Sequence, residues 1–137
     1  MSRTGSFSFQ LKGACDAIKE EIIQKQNRII LKLFSAFVMD SPVDKGSFRG
    51  SWFVSYGSPN LELKYDAPEN GISKSAATQA SIDRMVGFLA GFNGGTLWIT
   101  NNQPYAQRLE YGWSKQAPEG MVRRNIARFN QIAKDTK

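Results

Sequence analysis

The chain has 137 residues, a formal net charge of +6, one cysteine and no histidine. Without histidine, Ser-His-Asp and Cys-His catalysis and the usual zinc sites are excluded, and Cys15 alone supports neither an internal disulfide nor a thiolate metal cage. The length fits one compact domain able to bury roughly two-thirds of its unfolded surface, so folding needs no metal or disulfide. No segment approaches the roughly 20 apolar residues that span a bilayer, so a soluble intracellular protein is expected.

Phe7, Phe9 and Leu11 alternate weakly in the polar opening stretch, so residues 1–12 read as a short strand or, preferably, as an arm that orders against a neighbour. From Ala14 to Met39, Ile18, Ile22, Ile29, Leu33 and Phe37 recur at helical spacing, with Glu20, Glu21, Lys25, Arg28 and Lys32 on other faces. Cys15 reads as a small packing residue of this helix. In its second half Ile30, Leu31, Phe34 and Val38 extend the apolar surface around most of the circumference, which predicts a helix sandwiched in the domain or shared with another subunit. Pro42 stops it.

Ser41–Trp52 (SPVDKGSFRGSW) is the first of two blocks rich in turn formers and aromatics. Gly50–Gly57 then alternates, Gly57-Ser58-Pro59-Asn60 is turn chemistry, and Leu61, Leu63 and Tyr65 resume the alternation, predicting a β-hairpin. A polar loop, Asp66–Ser75, precedes a helix over Ala76–Phe88, which ends at Gly91–Gly95. Thr96–Thr100 reads as a strand. The second block, Ile99–Val122, opens on an Asn101-Asn102 turn and predicts one or two helical turns within Gln103–Tyr111. A last helix over Glu119–Lys134 places Val122, Ile126, Phe129 and Ala133 on one stripe. The expected fold class is α+β: a small antiparallel β-sheet of Gly50–Gly57, Leu61–Tyr65 and Thr96–Thr100, packed against a long N-terminal helix and two further helices.

The blocks carry the functional signal. Asp44, just after a proline, reads first as a turn or N-cap carboxylate. Arg49, near Trp52, has the planar donors to hold Glu110 bidentately, within the fold or across subunits. Tyr105, Tyr111 and Trp113 read as core or as a partner surface, and their neighbours Glu110, Gly112, Ser114 and Lys115 place part of the segment at solvent or a partner. Arg123, Arg124 and Arg128 form a solvated helix face or, on the sharper reading, a positive surface near DNA, within a final segment (101–137) of net charge about +4.

Enzyme chemistry fits poorly. Glu110 and Lys115 lack the strand spacing of a Glu-x-Lys nuclease pair, Ser51, Ser55 and Ser114 have no activating partner, and Gly87, Gly91, Gly94 and Gly95 lack the Lys-Ser/Thr of a phosphate loop. No catalytic, metal or cofactor residues are expected.

In wording, the blocks resemble the small minor-tail or tail-completion proteins of tailed bacteriophages, which act around the head–tail connection. The first matches a Pro-Val-Asp-x-Gly-x-(Leu or similar)-Arg-x-Ser-Trp element through Pro42, Val43, Asp44, Gly46, Phe48, Arg49, Ser51 and Trp52, with Lys45 where Thr is common. The second matches Asn-Asn-x-Pro-Tyr-Ala-x-x-Leu-Glu-Tyr-Gly through Asn101, Asn102, Pro104, Tyr105, Ala106, Leu109, Glu110, Tyr111 and Gly112. The resemblance covers the chain from the first helix to the last, with no motif in Gly57–Thr78. It implies a non-catalytic virion component at the neck or tail top, assembled in the host cytoplasm as a ring, with six copies because tails are sixfold. Implied partners are further copies of the chain, head–tail connector proteins, tail-tube or terminator proteins, and DNA passing through the lumen, with no membrane. Pro42, Asp44, Arg49 and Trp52 of the first block, with Asn102, Tyr105, Arg108, Glu110, Tyr111 and Trp113 of the second, become the expected interface, and Arg123, Arg124 and Arg128 the DNA-facing surface. The alternative is a small basic DNA-binding protein acting free in the cell.

Overall fold

The computed structural model describes the backbone from residue 3 and side chains from residue 14 to residue 137. Of residues 1–12, expected as a short strand or an arm, those from Arg3 onward are helical as the start of α1, so the short strand does not form. The elements are α1 (Arg3–Asp40), a 3-10 turn (Arg49–Ser51), β1 (Trp52–Tyr56), α2 (Lys74–Leu89), β2 (Leu97–Asn101), α3 (Ala106–Glu110), α4 (Val122–Ala127) and α5 (Phe129–Asp135). The fold class is α+β. Among the described residues no helix is long and apolar enough to cross a membrane.

The core forms where the C-terminal half of α1 meets both blocks. Phe34, Phe37 and Val38 of α1 pack with Phe48, Trp52, Met85 of α2, Ala117 and Met121. These are the positions where helical spacing and the aromatics of the first block coincide, so burying them supplies most of the apolar driving force. Ser73 starts α2, its hydroxyl accepting the Ala76 N–H at 3.0 Å. Cys15, by contrast, is exposed rather than packed.

The sheet differs from expectation. It has two strands, β1 and β2, antiparallel, with Trp52 opposite Asn101 and Tyr56 opposite Leu97. Leu61–Tyr65 is not a strand, so the local hairpin does not form. One edge of β1 is occupied by β2, and α2 approaches the start of the other: Ser81 Oγ accepts the Trp52 N–H at 3.2 Å, and the Arg84 guanidinium donates to the Gly50 and Trp52 carbonyls at 2.7 and 2.8 Å. Leu61–Tyr65 is held by side chains instead. Ser51 Oγ bonds both the N–H and the carbonyl of Tyr65, and Asn102 Nδ2 donates to the carbonyls of Asn60 and Leu63.

The last helix is also divided. It begins at Val122 rather than Glu119, and a tight turn at Arg128, whose N–H bonds the Asn125 carbonyl at 3.2 Å, separates α4 from α5.

Candidate partner interface

The first block is organised around the end of α1. Ser41 Oγ donates to the Phe37 carbonyl at 2.7 Å and accepts the Trp52 indole N–H at 2.8 Å, both inside the core. Arg49 folds back on the same helix end: Nε and Nη2 donate to the Ser41 carbonyl, and Nη2 also reaches the Met39 carbonyl at 3.0 Å. A cation thus caps the negative end of α1 and satisfies carbonyls the helix leaves open. Burial pushes the Arg49 guanidinium below its ordinary pKa, opposed by the charge of Asp40.

In the second block a carboxylate mirrors that arrangement. Glu110 Oε1 accepts the N–H groups of Met121 and Val122, each at 2.8 Å, and Oε2 accepts the Arg123 N–H and Nε, each at 3.0 Å. An anion therefore caps the start of α4. Burial works to raise the Glu110 pKa, but the three backbone donors and the Arg123 side chain together outweigh it and hold the carboxyl below its ordinary value. The turn between Glu110 and α4 is compact enough to require glycine twice. Gly112 and Gly120 both have positive φ, and a Cβ on either would meet a backbone carbonyl, of Pro118 or of Glu110 respectively.

The structure joins the two blocks. The Gln116 amide bonds both the N–H and the carbonyl of Val43 at 2.9 Å, Asn101 Nδ2 donates to the Phe48 carbonyl at 2.9 Å, and Gln103 Nε2 donates to Ser51 Oγ at 2.9 Å. Arg49 and Glu110, read from the sequence as possible partners, do not meet, because each is used at a different helix end. Pro42 and Trp52, expected at an interface, are buried, Trp52 against Phe37 and Phe48 at ring separations of 5.6 and 5.8 Å. Asn102 serves the 60–63 loop. Asp44 is exposed and makes no backbone cap among the described residues; it borders a cleft of about 320 Å³ with Tyr105, Ser114 and Gln116.

What remains outward is aromatic. Tyr111 and Trp113 are 60% and 72% exposed, and Tyr105 is partly exposed over Phe48. The Arg123 guanidinium lies over the Tyr111 ring at 4.3 Å and the Arg108 guanidinium over Trp113 at 5.2 Å. Burial, then the negative charges of Asp66 and Asp44, pushes the Tyr105 hydroxyl pKa up. Tyr, Trp and Arg are the side chains that concentrate binding energy in protein interfaces. Of the three helix arginines, Arg123 is engaged with Glu110 and Tyr111, while Arg124 and Arg128 are exposed. Sequence reasoning missed Ser41, Ser81, Gln103 and Gln116; only Ser81 left a signal, as a polar residue midway between Ala77 and Met85 on the buried stripe of α2. Comparison with protein-family models, with characterised proteins and with solved structures returned no match to this chain.

Proposed function

We propose that the protein is a non-catalytic structural subunit of a tailed-phage virion, a ring-forming component that completes the tail or seals the head–tail joint. The observation that carries this reading is how the two motif blocks use their polar groups. Arg49, Glu110, Asn101, Asn102, Gln103 and Gln116 are all spent holding the chain together. Tyr111 and Trp113 are left outward on a turn fixed by two glycines and a capping carboxylate, which suits recognition of a protein surface better than turnover of a substrate. The resemblance of both blocks to tail-completion proteins, in the same order and spacing, supplies the location.

Electron microscopy of particles from a phage with a stop codon in this gene tests the reading. Filled heads beside separate tails, or tails of aberrant length, are expected; normal infectious virions refute it. The exposure of Arg124 and Arg128 keeps a second reading in view, a DNA-binding protein acting alone, which requires tight and steeply salt-dependent DNA binding by the isolated monomer.

A further inference from the structure

Among the described residues most arginines are spent within the chain. Arg28, Arg49, Arg84 and Arg123 each donate to a backbone carbonyl, and Arg124 faces Glu119 at 4.0 Å. Arg108 and Arg128 are exposed and do neither, and of these two only Arg108 is held against an aromatic ring, 5.2 Å from the centre of Trp113.

The backbone sets that placement. Just past α3, Gly112 has a φ of 88°, its N–H bonds the Leu109 carbonyl at 3.1 Å, and the Trp113 N–H bonds the Arg108 carbonyl at 3.2 Å. These are the two bonds of a helix end closed by a left-handed glycine, a motif that brings the residue after the glycine against the side chain one turn back. That contact is commonly apolar; here an indole meets a guanidinium, which orients the cation without using its N–H groups. Its own segment does not answer the charge, because Glu110 is turned inward on the N–H groups of α4 and Glu119 faces Arg124. A fork of donors whose position is already fixed suits an outside carboxylate or phosphate.

The surroundings decide between those two. Asp44 lines the cleft that also holds Tyr105 and Ser114, and burial, then the charges of Asp66 and Asp44, raises the Tyr105 hydroxyl pKa. A nucleic-acid strand crossing this face would carry phosphate after phosphate past those carboxylates, whereas a single carboxylate on a protein meets Arg108 alone. Two copies meeting by this face would bring Arg108 and the exposed Lys115 against their own counterparts.

We propose that Arg108 and Trp113 together recognise an aspartate or glutamate on the surface of a different, adjoining protein, the guanidinium holding the carboxylate bidentately and the indole covering the chain that carries it. The inference rests on the joining reading and gives that joint a charge: the partner face is acidic.

The test is complementation in vitro. Purified full chain is added to an extract of cells infected by the phage with a stop codon in this gene, and infectious particles are counted, with circular dichroism to show that each variant is folded. Arg108→Glu should lower the yield by about tenfold or more, since it sets like charges together. Arg108→Met should lower it less, and Arg108→Lys least, because a point charge keeps the attraction and loses the fork. Added salt should depress the wild-type yield more steeply than that of Arg108→Met. Full yield from Arg108→Glu would overturn the inference and leave the joining reading standing. An extract that wild type itself does not restore would overturn the joining reading, and the inference with it. Dissociation of a wild-type oligomer by Arg108→Glu in native mass spectrometry would give the site to a second copy, and loss of duplex-DNA retention in a gel with yield intact would give it to DNA; either overturns the inference.

Discussion

The face built from the two motif blocks and the free half of α1 are opposites in construction. On the motif face, side-chain amides, a guanidinium and a carboxylate bond the backbone of distant segments, and two of its charged groups, Arg49 and Glu110, are committed to helix ends. Along Ala14–Gln26 no side chain hydrogen-bonds another segment among the described residues, and the one side-chain bond is local, from Gln24 to Glu20. Polar residues in a motif are therefore a poor guide to what is available for binding here. The ordinary amphipathic pattern of α1 leaves Ile18 and Ile22 exposed.

That contrast can be broken most strongly at the core of the motif face. Trp52→Ala should cost about 3–5 kcal/mol in urea denaturation, since it removes a buried ring and strands the Ser41 hydroxyl. Arg49→Met should cost about 2 kcal/mol by opening the end of α1, with Lys a poor replacement because it cannot reach both the Met39 and Ser41 carbonyls in one plane. Glu110→Gln should cost about 1 kcal/mol at neutral pH.

The same residue sharpens the comparison through pH. Because the folded-state pKa of Glu110 is held below its ordinary 4.5, its stabilisation is fully present above that value and is lost as pH falls through the lower folded pKa. Wild type should lose stability over that acid range, and Glu110→Gln should lose less, measured by denaturation at successive pH values. The smallest effect on stability belongs to the outward aromatics. Tyr111→Ala with Trp113→Ala should shift unfolding by no more than about 0.5 kcal/mol per site, yet impair joining of heads to tails in a complementation assay.

Helices α1 and α2 were legible because the 3.6-residue period is a local property, and β2 because its β-branched and aromatic residues sit between turn formers. The supposed hairpin was misread because Leu61, Leu63 and Tyr65 alternate as well as a strand does, while the strand that pairs with β1 lies beyond α2. Alternation marks a candidate strand without naming its partner. For the same reason Arg49 and Glu110 were recognised as important but given the wrong address. The Gln116–Val43 clamp left no trace in the pattern, since a glutamine amide suits almost any exposed loop.

The pairing of β1 with β2, together with the position of Met121 in the core, also sets the order in which the protein can be made. Phe48 and Trp52 leave the ribosome well before Met121, the last core residue that covers them, by roughly 70 residues of synthesis, or about 4–14 s at ~5–20 residues per second. During that interval the aromatic cluster has α1 and then α2 to pack on, but the side that Ala117 and Met121 close stays open. A translational pause between β1 and α4 should therefore raise aggregation of this protein more than a pause within α1, which precedes Phe48 and Trp52.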